Sequence, residues 1–182
     1  MKSLKDYFLL DPEIIFLNHG SYGSCPEPVF TDYQNWQRNI EKQPVDFFTK
    51  QLYSYLKDSR VSMSSFIGCE EDSILFFPNP TTAVSNIIHS LKLEPSDEIL
   101  MTNHEYGALI RAWCSMSNKT GVRIVQQEIP IPLVSKEKFK NDFWSGVSDK
   151  TKVIFISHIT SPTALILPIK EIIPVSYTHL TL

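Results

Sequence analysis

Cysteine is scarce in this chain of 182 residues: only Cys25, Cys69 and Cys114, far apart and in no C-x-x-C spacing. An odd, scattered set argues against a disulfide framework and against a cysteine zinc site, and it fits a reducing, cytoplasmic setting. Long apolar runs are missing too. None approaches the roughly 20 residues of a membrane-spanning helix, and the N-terminus lacks the basic, apolar and small-residue order of a signal peptide. Neither sign of charge dominates: 17 Lys and Arg against 20 Asp and Glu leave a net charge of −3. The cations are scattered, so neither nucleic acid nor an anionic membrane is the expected partner. No two histidines have helical ligand spacing and no carboxylate cluster accompanies them, so no metal site is expected. Internal repeats and low-complexity tracts are absent. What is present, 42% hydrophobic and 20% charged residues, is the composition of a soluble globular protein long enough for one sizeable core, with a small molecule as the expected partner.

Periodicity divides the chain near Gly68. Before it, residues 24–28 place prolines where a first helical turn tolerates them, ahead of Phe30, Tyr33 and Trp36. From Phe48, the apolar positions Leu52, Tyr55, Met63 and Phe66 follow helical spacing until Gly68 stops the run. After Gly68, short apolar runs alternate with amphipathic stretches. Strands are expected over 73–77, 98–102, 122–129 and 153–157, and helices over 81–91, 106–119 and 135–145. Such a β-α-β-α-β-α-β order defines an α/β fold with a mostly parallel sheet, flanking helices and sites at the strand carboxyl ends. A further helix should start near Leu167 and break at Pro174, because residues 174–182 carry no helical pattern.

Chemistry-bearing residues gather at the expected strand ends. In Phe76-Phe77-Pro78-Asn79-Pro80-Thr81-Thr82-Ala83, an apolar run meets two threonines that open a helix. A helix start leaves N–H groups unbonded at the positive end of the dipole, so a phosphate monoester suits it. Pro80 has no N–H to give, which leaves Thr81, Thr82 and Ala83 as backbone donors. Such a pair on its own is more often a plain helix cap. Three further segments recur at intervals: residues 16–23 (Phe-Leu-Asn-His-Gly-Ser-Tyr-Gly), 103–108 (Asn-His-Glu-Tyr-Gly-Ala) and 156–163 (Ile-Ser-His-Ile-Thr-Ser-Pro-Thr). For His104 and His158, near strand ends, a structural hydrogen bond is the default expectation.

These four segments, in this order and spacing, resemble the class V aminotransferase family of pyridoxal-phosphate-dependent enzymes, most closely its isopenicillin N epimerase-like branch, from about Ile15 to Ile173. The resemblance implies a fold type I transferase large domain, present in its N-terminal part and incomplete. It also implies pyridoxal 5'-phosphate as cofactor, an amino-acid substrate, and a homodimer at full length. Thr81 and Thr82 would take the phosphate, Tyr106 would lie on the pyridine ring, and Ser161 would hydrogen-bond its phenolic oxygen. His19, Gly20 and Ser21 would form a loop that reaches the substrate. Ser161 departs from related desulfurase-like sequences, which tend to carry an amide there.

The family's aspartate for the pyridine nitrogen and its Schiff-base lysine fall beyond Ile173, so no catalytic residue is assigned. Lys152 and Lys170 read as solvated surface residues. The expected organisation is an N-terminal segment of loop and helices over 1–68, a partial cofactor-binding domain over 69–173, and a tail over 174–182 that looks foreign to the fold. The expected function is that of a fragment of an enzyme acting on an amino acid, by transamination, epimerisation or carbon–sulfur cleavage. The alternative is a non-catalytic α/β module that binds a phosphorylated ligand at Thr81 and Thr82.

Overall fold

A computed structural model describes residues 3–179, with side chains to Ser176. The chain divides between Leu75 and Phe76 into two compact units.

In the first unit, a 3-10 turn over Leu4–Tyr7 is closed by a reciprocal cap between Ser3 and Asp6. A single helical turn, α1 (His19–Tyr22), precedes the 16-residue α2 (Glu27–Lys42), which carries proline in its first turn, where a missing N–H costs nothing. α3 (Pro44–Asp46) leads through a π turn (Phe47–Gln51) into α4 (Leu52–Ile67). The long helix expected from Phe48 is therefore helical throughout but starts as a wide turn. Gly68 ends α4 with φ +82°, a left-handed conformation that glycine adopts without strain. Trp36 of α2 meets Tyr55 of α4 edge to face at 4.6 Å, with Phe47 at 6.1 Å from Tyr55, and this aromatic knot joins the two helices. Met63 and Phe66, expected on the same apolar face, are exposed instead, Phe66 at 87%.

The second unit runs α5 (Pro80–Ser90), β1 (Glu98–Thr102), α6 (Gly107–Thr120), β2 (Arg123–Gln127), α7 (Lys136–Trp144), β3 (Thr151–Phe155) and α8 (Ile169–His179). Its three strands form an all-parallel sheet in the order β2-β1-β3. β1 is central and buried along its whole length, as a strand covered on both faces must be. On one face Ile99 and Met101 pack with Ile88 of α5, Trp113 of α6 and Val122. On the other, Leu100 packs with Phe139 and Phe143 of α7, Leu167 and Ile172. Alternation along β1 therefore builds a three-layer α/β/α stack. Gly121 ends α6 at φ +82°, and a Cβ there would meet Pro95 at 3.2 Å.

Two expectations need correction. Residues 73–77 do not form a strand: Glu71–Ser73 is a 3-10 turn, and Ile74 is extended but pairs with no strand among the described residues. An extended backbone becomes a strand only when a neighbour takes up its N–H and C=O groups, and sequence pattern does not supply the neighbour. Nor does the last helix break at Pro174. α8 runs through this proline to His179. Ile172, 1% exposed, anchors its first turns in the core, and Pro174 lies on the exposed side, where the one lost hydrogen bond leaves a carbonyl open to water. Residues 180–182 of the expected tail lie outside the described residues.

At the amino end of the sheet, Glu98 is 2% exposed. It accepts from Ser148 Oγ at 2.7 Å and is paired with the guanidinium of Arg123. The Ser148 hydroxyl first, then the Arg123 charge, hold its carboxyl below the usual value of 4.5, against burial. A carboxyl whose folded value is depressed contributes stability above its unfolded value and loses it as pH falls through the folded one. Wild-type protein should therefore lose thermal stability on acidification below about pH 4.5 more steeply than the Glu98→Gln variant. Parallel acid profiles for the two proteins would refute this assignment.

Candidate functional site

β1 and β3 are neighbours, but their exits diverge. The chain leaves β1 into α6 on one face of the sheet and leaves β3 towards α8 on the other. In open α/β sheets such a topological switch, at the strand carboxyl ends, is where ligand sites are built. α5 and α6 pack on the same face of the sheet. Their C-terminal halves flank a common hollow, with Ser85, Ile88 and His89 facing Ala112, Met116 and Lys119, so the two helices run in parallel. Their N-termini consequently point to one edge, the edge of the strand carboxyl ends.

The start of α5 is organised by Asn79. Pro80 holds the preceding residue extended, at φ −163° and ψ 161°. From there the short side chain of Asn79 accepts the Thr82 N–H at 2.8 Å and the Thr82 hydroxyl at 3.0 Å, while the Asn79 carbonyl accepts from the Ala83 N–H at 3.2 Å. The cap is thus Asn79, and two of the three backbone donors expected for an anion are already bonded. Thr81 is different. It is half-buried, and neither its N–H nor its hydroxyl has a hydrogen-bond partner among the described residues.

The turn between β1 and α6 carries the most extensive polar network. Glu105, 3% exposed, accepts from Thr102 Oγ1 at 2.7 Å, from the Ser157 N–H at 3.0 Å and from Ser157 Oγ at 2.5 Å. His104, also buried, donates from Nε2 to the Ile129 carbonyl at 2.7 Å, which leaves Nδ1 to accept from Thr163 Oγ1 at 3.3 Å. Thr163 in turn meets Thr160 Oγ1 at 2.7 Å, and Thr160 Oγ1 accepts the Leu165 N–H at 2.9 Å. Asn103 Oδ1 accepts the Ile129 N–H at 2.9 Å. Three consecutive residues therefore tie the exits of all three strands together.

Tyr106 follows directly as the N-terminal flanking residue of α6 and is 48% exposed. Ser161 lies in the turn held by Thr160 and Thr163, exposed and without a side-chain hydrogen bond among the described residues. Thr81, Thr82, Tyr106 and Ser161 thus share one edge of the second unit. His19, Gly20 and Ser21 belong to the first unit and form the helical turn α1 rather than an open loop. The His19 ring is set edge-on to Phe16 at 4.7 Å and tilted to Phe8 at 5.4 Å.

The structural hydrogen bond expected of His104 is present. His158, by contrast, is exposed, with no side-chain hydrogen bond among the described residues. Lys152 and Lys170 are both exposed. No group of three His, Cys, Asp or Glu among the described residues has the arrangement to hold a metal ion. Glu105, Ser157 and Asn79 went unnoticed as site residues in the sequence. Asn-Pro before Thr-Thr is a readable cap signal, whereas the Glu105–Ser157 bond spans 52 residues and has no local signature.

With helices packed on both faces of an open parallel sheet, the second unit is an α/β domain of the doubly wound type. The chain belongs to the aminotransferase class V family, whose model matches residues 24–179. An isopenicillin N epimerase from Amycolatopsis lactamdurans is 30% identical, covering 87% of this chain and 40% of its own length. A probable chloroplastic L-cysteine desulfhydrase from Arabidopsis thaliana is 24% identical over 91% of this chain and 38% of its own. A solved mutant of C-DES, with glycine covalently linked to its PLP cofactor, superposes with a TM-score of 0.83 at 19% identity, covering 98% of this chain and 46% of that one. The chain therefore spans about two fifths of the length of these curated relatives.

Proposed function

We propose that this chain contributes the N-terminal part of a pyridoxal 5'-phosphate-dependent enzyme acting on an amino acid, with epimerase or carbon–sulfur lyase chemistry favoured by its relatives. The observation that carries this reading is the occurrence, on one edge, of an exposed Tyr106 and of a Thr81 whose N–H and hydroxyl are unbonded among the described residues. These groups fit a flat aromatic cofactor with a phosphate arm. When bound, that cofactor supplies an electron sink for a bond broken at the substrate α-carbon.

Within this reading, Thr81 donates to the phosphate at the positive end of the α5 dipole. Thr82, committed to Asn79, holds the helix start in place beneath it. Tyr106 covers one face of the ring, and the Ser161 hydroxyl donates to the ring's phenolic oxygen. His19, Gly20 and Ser21 contact substrate. A homodimer is part of the same proposal, supported by the exposed apolar residues Tyr33, Tyr53 and Phe66 on α2 and α4. No helix among the described residues is long and apolar enough to cross a membrane. A cytoplasmic setting is proposed from Cys25, Cys69 and Cys114, all free and exposed.

The test is a titration with pyridoxal 5'-phosphate, followed by protein fluorescence and by competition with inorganic phosphate. Wild-type protein should bind, and Thr81→Val should weaken binding by about 10-fold or more, the worth of a charge-assisted hydrogen bond, while Thr81→Ser retains it. Absence of binding to the wild type would sink the proposal. Equal binding by the valine variant would remove Thr81 from the site.

A further inference from the structure

The carboxylate of Glu105 is buried at the switch point beside Tyr106, and no Lys or Arg among the described residues forms an ion pair with it. Burying a carboxylate costs several kcal/mol unless hydrogen bonds replace its hydration, and here three neutral donors do so. Two of them, the N–H and hydroxyl of Ser157, come from the exit of β3. The third, Thr102 Oγ1, comes from the end of β1. An apolar contact would join two neighbouring strands at less cost, so this carboxylate calls for a different explanation.

Its position supplies one. Tyr106 is the next residue, and its own carbonyl accepts from the Leu109 and Ile110 N–H groups at 2.9 and 3.0 Å. The Tyr106 backbone is therefore held from both sides, by the first turn of α6 after it and by the Glu105 bridge before it. With the backbone fixed, the exposed ring retains only its two side-chain rotations. The bridge ends at Ser157, four residues before Ser161, so the same carboxylate also sets the loop from which Ser161 projects.

We propose that Glu105 is a positioning residue of the cofactor site, holding the Tyr106 ring and the Ser161 loop in fixed register across the gap between β1 and β3. This rests on the cofactor reading given above. The bridge needs acceptor geometry and reach rather than charge. A Gln side chain keeps the length: its carbonyl oxygen, in the place of Oε2, accepts from the Ser157 N–H and hydroxyl, and its amide, in the place of Oε1, donates to Thr102 Oγ1, whose hydroxyl rotates to accept. Asp keeps the charge and is one methylene too short. Ala removes the bridge.

The experiment compares wild type with Glu105→Gln, Glu105→Asp and Glu105→Ala. Hydrogen exchange of the cofactor-free proteins is one readout. Affinity for pyridoxal 5'-phosphate and the induced circular dichroism of the bound cofactor are the others. The expected result is near-wild-type behaviour for Gln. Asp and Ala should show faster exchange at residues 103–107 and 157–161 together, at least 10-fold weaker affinity and a smaller induced signal per bound cofactor. Should Ala fail to fold, the Asp and Gln pair still decides the matter. Wild-type binding matched by Asp and Ala would overturn the positioning role and leave the proposed function standing. So would a loss in Gln equal to that in Ala, which would show that charge is what counts. No binding by the wild type would bring down the cofactor reading and this inference with it.

Discussion

Replacing Phe143 by alanine should cost about 3–5 kcal/mol of unfolding free energy, the range for truncating a fully enclosed aromatic side chain. Phe143 has no exposed surface, and its ring lies nearly parallel to that of Phe139, one helical turn earlier, at 5.8 Å. Trp144 abuts it edge to face at 5.7 Å. Together with Leu100, Leu167 and Ile172 these rings form the layer that fastens α7 and α8 to the sheet. Truncation leaves a void among side chains from a helix, a strand and a loop, which cannot all close in at once. Urea denaturation should show a lower midpoint with an unchanged slope. A loss under 1 kcal/mol would mean that this layer is far looser than described.

Trp113 on the opposite face should be as costly to remove and easier to replace. It is 2% exposed, packs on Phe155 at 5.6 Å and sits among Ile88, Ile99, Met101 and Val122. Trp113→Ala is expected to lose about 3–5 kcal/mol for the same reasons as Phe143→Ala. The indole Nε1, however, has no hydrogen-bond partner among the described residues. A buried donor left unmatched carries a penalty of about 1–3 kcal/mol, which phenylalanine does not incur. Trp113→Phe should therefore destabilise far less than its loss of volume suggests. Equal losses for the two variants, measured by the same denaturation, would show that the indole N–H is satisfied in solution.

Most of the second unit was legible because each element carries its own signal. The unbroken apolar run at Val153 to Ile156, the Glu94-Pro95-Ser96-Asp97 turn and the stop at Gly121 each act within a few residues, and the structure has a strand, a turn and a helix end there. Residues 73–77 have an equally apolar pattern and no ladder, since pairing depends on a partner that local sequence does not describe. Pro174 reads as a breaker locally, yet the burial of Ile172 carries α8 past it. At the site, the strand-end location of Tyr106 and Ser161 followed from the βα order. The division of labour at α5 did not. Asn79 takes the capping role and leaves Thr81 as the open donor, an outcome settled by which side chain reaches which N–H. Glu105 shows the same limit at longer range, because its partner lies 52 residues away.

The order β2-β1-β3 also has a temporal meaning. Ile99 pairs with Ile124, 25 residues on, and with Val153, 54 residues on, so the second pairing closes a loop somewhat more than twice as long. Each doubling adds only about 0.6 kcal/mol of closure entropy, but the longer loop also has to wait for α7 to lie across the sheet. Pairing of β1 with β2 over α6 should thus come early and docking of β3 late. On that sequence of events the Glu105–Ser157 bridge is among the last bonds made, and the carboxyl edge of the sheet takes shape only as folding finishes.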